Sequence, residues 1–299
     1  METEPRSQMK YSRFLLHQYL KKSLVIFFIV SAVIYLYAPA NAYVLPGPYI
    51  LELMTQNLGK AKSLLVSQTL VIHDDTLQKS GVELNETLRY VYPETFRSDT
   101  LSEQVHRIHV LSKGKALTVI DGKVADESDN RYDRYKNILL FKPGKMLQDE
   151  LSLLGVDVTV SSLGRFQGKP AYVLGAQYPD ETTAQVWLDK DTFRPFRWIM
   201  TSKDAKSREN SLEIRYIQWQ KVQNTWYPMR IEFFMAGILV REIHVKQINI
   251  NSSFSKTLFD IKHLKSLYPQ GPTAEQEKEN KKDLNEVQKT IEDFKKLYE

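Results

Sequence analysis

Six histidines lie along the chain, His17, His73, His106, His109, His244 and His263, and only His106 and His109 are close enough in sequence to suggest a shared metal ion. Both fall in a segment whose pattern predicts a β-strand. Side chains three apart on a strand point to opposite faces, so one ion cannot take both. Asp74-Asp75 and Asp126-Glu127 sit beside turns, where carboxylates cap or face solvent. No serine occupies a G-x-S-x-G elbow, and neither Gly144-Lys145 nor Gly168-Lys169 belongs to a phosphate loop. With no cysteine, the chain has no disulfide framework, thiolate metal centre, cysteine nucleophile or lipidated cysteine. These residues predict no enzyme, no metal and no other cofactor.

The positive signal is apolar and aromatic. Trp187, Phe196, Trp198, Tyr216, Trp219, Trp226, Tyr227, Phe233 and Phe234 crowd one part of the chain. That part belongs to a series of short β-segments broken by turn residues. Leu64 to His73 reads as the first strand, followed by segments near 83–91, 104–111, 115–121, 156–163, 170–177, 183–189, 194–202, 211–221, 226–235 and 238–250. Lys113-Gly114, Asp121-Gly122, Gly164 to Gly168 and Pro179-Asp180 punctuate them. Alternation predicts that Val156, Val158 and Val160 share a face, as do Ala184, Val186 and Leu188. A short helix opens at Pro46-Gly47-Pro48 and stops at Gly59. One convincing helix interrupts the strands, from Pro143 through Leu154, with Gly155 as its stop. Many evenly spaced strands predict a mainly β (α+β) chain built on an antiparallel sandwich or barrel.

With 299 residues, 42% of them hydrophobic, the chain is long enough for a substantial core. The net charge of +5 does not make it a nucleic-acid binder. Residues 1–42 hold five basic and two acidic groups, and the other 257 hold 36 Lys and Arg against 34 Asp and Glu. No basic stripe remains for a nucleic acid.

Residues 24–37 are uncharged and apolar, follow Lys21-Lys22, and lead to Ala38-Pro39-Ala40-Asn41-Ala42. Basic flank, apolar run and small-x-small exit predict a secretory signal cleaved after Ala42. The same run, extended to Tyr43, has the length of an uncleaved inner-membrane anchor. Either way the rest of the chain is exported, most economically to a periplasm; the sequons at Asn85 and Asn251 leave a eukaryotic secreted protein open. Beyond a break at Pro269–Pro272, Leu284, Val287, Ile291, Phe294 and Tyr298 recur at 3, 4, 3, 4 spacing. This predicts a charged amphipathic helix that stands off the barrel, docks on it or binds a partner helix. The expected division is 1–42 signal or anchor, 43–267 the β-domain, and 268–299 the C-terminal helix.

Several segments, in order, carry a family resemblance: Leu64–His73; Leu88-Arg89-Tyr90-Val91-Tyr92-Pro93-Glu94-Thr95-Phe96-Arg97; Val110 to Leu117; Trp187 through Arg197; Trp226-Tyr227-Pro228; and Ile250-Asn251 to Leu258-Phe259. Over about residues 43–262 the chain resembles the outer-membrane lipoprotein carriers, the LolA/LolB-like superfamily, and especially its lipoprotein-sorting branch. The resemblance implies an incomplete antiparallel β-barrel whose apolar concave face is lidded by short helices and shields lipid or lipoprotein acyl chains. It also implies an inner-membrane transporter or outer-membrane acceptor as partner. In such carriers an arginine directly before the first-hairpin proline latches the lid; here that position is Tyr92, with Arg89 and Arg97 flanking it. Strand alternation nominates Val158, Val160, Val186, Leu188, Ile214, Tyr216, Met229, Ile231 and Phe233 as cavity lining. The rival reading is an anchored interaction or envelope-stress sensor protein using the same fold.

Overall fold

Tight turns set the strand pairing. Lys113 and Gly114 (φ 52° and 71°) and Asp121 and Gly122 (φ 48° and 78°) give two-residue loops with both residues at positive φ. That geometry matches the twist of antiparallel hairpins. In the computed structural model, which describes residues 44–73, 82–102, 105–140, 144–201 and 211–269 and the single residue Leu24, such hairpins follow one another along the chain. The segment 1–42 (Leu24 apart), Asp74-Asp75 and the Leu284–Tyr298 seam lie outside the described residues.

The first run of strands is β1 (Ser63–Ile72), β2 (Val82–Val91), β3 (Thr95–Leu101), β4 (His106–Ser112), β5 (Lys115–Ile120) and β6 (Lys123–Asp126). The second is β7 (Ser161–Phe166), β8 (Lys169–Leu174), β9 (Gln185–Asp189), β10 (Pro195–Met200), β11 (Leu212–Val222), β12 (Thr225–Met235) and β13 (Ile238–Ile250). Strand β13 pairs back onto β1, so both runs join in one antiparallel sheet ordered β6-β5-β4-β3-β2-β1-β13-β12-β11-β10-β9-β8-β7. The sheet is not closed: β6 and β7 are its two edges. Register shifts at Ser67/Gln68, Pro195/Arg197 and Phe233/Phe234 bend it. This is the incomplete antiparallel barrel that the family resemblance implied.

The chain between the two edges is helical. Helices α2 (Tyr135–Leu140) and α3 (Gly144–Leu153) lie there, and α1 (Gly47–Leu58) packs against α3. Ile50, Leu51, Met54 and Leu58 of α1 join Ile138, Leu139 and Leu140 of α2 and Leu147 and Leu151 of α3 in the core cluster of the sheet's inner face. On the outer face, a 3-10 turn (Lys256–Phe259) and α4 (Ile261–Leu267) cover β4 and β5, where Ile108, Val110, Leu117 and Val119 meet Phe259 and Leu264.

Four elements escaped the sequence reading. Strand β3 is nearly polar throughout, β6 is four residues long, and α2 and α4 are too short to show a helical period. The strand expected from 156 begins only at Ser161. Asp157 Oδ1 accepts from the Thr159 amide at 3.0 Å and from its hydroxyl at 2.6 Å, which closes a turn. Val158 and Val160 therefore lie in that turn, half-buried, and not on a strand face.

The same turn fixes α1. A Cβ on Gly47 would stand 2.1 Å from the Val158 carbonyl oxygen, so helix and turn touch only because this residue has no side chain. Gly47→Ala is expected to destabilise the protein by about 2–3 kcal/mol, measured by denaturant unfolding.

Candidate ligand site under the helical lid

The inner face is built from alternate residues of each strand. Val186 on β9 pairs with Trp198 on β10, Trp198 with Ile214 on β11, and Ile214 with Phe233 on β12. Leu188, Tyr216 and Ile231 lie on the same face, and all seven side chains are buried in one apolar cluster. Met229 has the same strand parity and is half-buried. Of the nine residues nominated as lining, six therefore meet under the lid, one lies beside them, and Val158 and Val160 sit in the turn at its edge. The lid helices insert their apolar side chains into this space: the Tyr135 ring meets Phe233 edge-on at 5.7 Å, and the Tyr216 hydroxyl donates to the Tyr135 carbonyl at 2.9 Å.

The other half of the inner face carries a polar band among apolar neighbours such as Val66, Leu88 and Tyr90. Cross-strand pairing aligns Gln68, Glu86, Thr100 and Arg107 in one row, and Ser98, His109 and Thr118 in the next. Gln68 Nε2 donates to Glu86 at 2.5 Å, and the Ser98 hydroxyl donates to the same carboxylate. Above the rows sits the segment leading into α2. Arg107 Nη2 lies 2.5 Å from Asp133, Lys136 Nζ 2.6 Å from Asp129, and His109 Nε2 3.0 Å from Asp129. Burial alone would raise the Asp133 carboxyl, but Arg107, His109 and Lys136 outweigh it and hold it below the ordinary range. Asp129 is likewise lowered, with Lys136 and His109 opposing its desolvation.

His109, Asp129 and Asp133 bring ligand-type atoms within 4.8 Å of one another. Arg107 and Lys136 already supply two positive charges to the two carboxylates, so the group is better described as a clamp that fastens α2 to β4. His106 lies exposed on the opposite face of the strand from His109, as their spacing predicts. Of the clamp residues only His109 stood out in sequence, as half of the His106/His109 pair, although one further signal was present beside it: Glu86 shares strand parity with Leu84, Leu88 and Tyr90.

Arg89 and Arg97 are elsewhere. They face each other across β2 and β3, and both bind Asp99. Arg97 also donates to the Leu258 carbonyl at 2.9 Å, which ties the outer-face 3-10 turn to β3. Tyr92 stacks on Tyr90 at 6.2 Å beside the inner cluster, and burial pushes its hydroxyl up.

Where α3 crosses the β4–β5 hairpin, two adjoining clefts of about 460 and 490 Å³ open, sharing Leu111, Gly114 and Glu150. These volumes suit a small ligand. Leu111, Ala116 and Met146 in the cleft walls also belong to or pack on the inner cluster, so the clefts abut the space under the lid.

An open, helix-lidded antiparallel half-barrel of this kind is the LolA-like fold. No family model matches the chain, and no curated protein matches it by sequence. Solved structures do. A domain described as outer membrane lipoprotein-sorting, from Vibrio parahaemolyticus, aligns with a TM-score of 0.50 at 11% identity, covering 73% of this chain and 98% of that one. A LolA superfamily protein from Nitrosomonas europaea gives 0.51 at 10%, covering 74% and 100%. A DUF1329 family protein from Desulfovibrio piger gives 0.50 at 10%, with the same coverage. At such identities the likeness is one of fold.

The clamp makes a prediction. Asp133→Ala leaves Arg107 buried without its carboxylate and is expected to destabilise by about 3–5 kcal/mol. Because the folded Asp129 and Asp133 carboxyls titrate below their unfolded range, their contribution is complete above about pH 4 and is lost as pH falls further. Urea unfolding across pH 2–7 checks this, and Asp133→Asn should show a shallower acid slope than the wild type.

Proposed function

We propose that the protein is an exported, non-enzymatic carrier or binding protein for lipid or acylated lipoprotein, working in the cell envelope, most economically the periplasm. One observation carries the reading. The apolar concave face of an open sheet is filled by side chains from three helices, two on the chain between its free edges and one leading into the central strand β1. Such side chains can give way to an acyl chain without breaking a sheet hydrogen bond. An acyl chain of about 14 methylenes, each worth about 0.8 kcal/mol on burial, would gain about 11 kcal/mol before entropic losses. No specific polar recognition is needed for that gain. Loading and release then require a surface or partner that opens the lid, such as an inner-membrane transporter on one side and an outer-membrane acceptor on the other. The helix expected at Leu284, Val287, Ile291 and Phe294 is a candidate contact for such a partner.

Native mass spectrometry of protein recovered from the periplasm, followed by lipid extraction, tests the reading. A mature chain starting at Tyr43 with bound phospholipid or acylated peptide is expected. A ligand-free protein that takes up no lipid, or one held in the inner membrane with residues 1–42 intact, would overturn it.

A further inference from the structure

The clefts beside α3 are not chemically neutral. Among their carboxylates, Glu127 pairs with Lys265, Asp149 with Lys145 at 2.5 Å, and Asp129 with Lys136 at 2.6 Å. Glu94, at the outer end, and Glu150, shared by both clefts, face no cation within ion-pair distance among the described residues. Glu150 instead accepts one hydrogen bond, from Asn137 Nδ2 at 2.7 Å. That bond fixes the Asn137 amide, and its Oδ1 is left buried with no hydrogen-bond partner among the described residues. Asn137 is 1% exposed and lines the cleft. A buried amide oxygen without a donor is destabilising, and an unmatched carboxylate beside it adds to that. Burial and then the neighbouring Asp129 push the Glu150 carboxyl up against the weaker opposite pull of Lys136, Arg134 and the Asn137 hydrogen bond, so the fold on balance disfavours the charge it holds here.

A carboxylate with one donor and no ion-pair partner, and an amide oxygen with no donor, set beside apolar Leu111, Met146 and the largely exposed Leu153, describe the complement of an amphiphile with a cationic head. We propose that Glu150 and Asn137 form a headgroup site at the mouth of the lidded interior, selective for lipids bearing a primary ammonium. An ammonium offers three donors on a compact charge, enough for the Glu150 carboxylate and Asn137 Oδ1 together. The acyl chain passes Leu111 and Met146 toward the inner cluster. This rests on the carrier reading and adds to it a class of cargo.

The test uses the full chain and a matched pair of probes: lysophosphatidylethanolamine and its N-acetyl derivative, which differ only in the ammonium. Binding is measured by displacement of a fluorescent apolar dye. The wild type is expected to bind the ammonium form at least about tenfold more tightly than the acetylated form. Glu150→Gln should erase that preference while keeping or raising Tm, because it removes a charge that the fold disfavours. Equal binding of the two lipids by the wild type, or an undiminished preference in Glu150→Gln, would overturn the headgroup site and leave the carrier reading standing. Failure of both lipids to bind would overturn the carrier reading itself.

Discussion

An open sheet with one apolar face cannot stand uncovered in water, and every other feature of this molecule answers that constraint. The thirteen strands among the described residues curve but do not close, so the inner face exposes Val186, Trp198, Ile214, Phe233 and their neighbours unless something else lies on them. The cover comes from the chain that joins the two free edges, together with α1. Placing the connection there lets one segment bridge the gap and fill the concavity. The lid is thus covalently part of the barrel, and among the described residues its backbone pairing with the inner strands is a single bridge, between Gly59 at the end of α1 and Thr225 of β12.

A cover held by apolar contact alone would slide, since the hydrophobic effect is non-directional. The polar band across the inner face supplies direction. Arg107 and Lys136 meet Asp133 and Asp129 in one arrangement only, and the neighbouring rows from Gln68 to Thr118 orient them. Ion pairs fasten α2, while α1 and α3 rest mainly on apolar side chains, on close approaches at Gly47 and Gly144, and on single hydrogen bonds from Asn57 to the Thr192 carbonyl and from Asn137 to Glu150. This division makes α2 the most firmly anchored part of the lid.

Sequence showed the barrel more readily than the clamp. Turn pairs such as Lys113-Gly114 and alternation in Ala184, Val186 and Leu188 are local signals, and the strands and inner face follow from them. Asp157 defeated the same logic, because a side-chain turn there outcompetes the valine alternation and puts Val158 and Val160 off the sheet. The clamp was less legible for another reason: its members come from β4, from the segment before α2 and from the first turn of α2, and pairing between them is a property of the tertiary fold. Arg89 and Arg97, conspicuous beside the first-hairpin proline, turn out to share Asp99 on the outer face. The headgroup acceptors Asn137 and Glu150 are ordinary helix residues until α2 and α3 bring them 2.7 Å apart.

The central claim is that lid side chains and an acyl chain exchange for the same apolar space. Hydrogen exchange of the full chain, with and without a bound single-chain lipid, tests it most directly. The account predicts that loading lowers protection in 47–58 and 144–153, while β1, β11, β12 and β13 keep theirs. Lipid binding that leaves both helices as protected as before would contradict it.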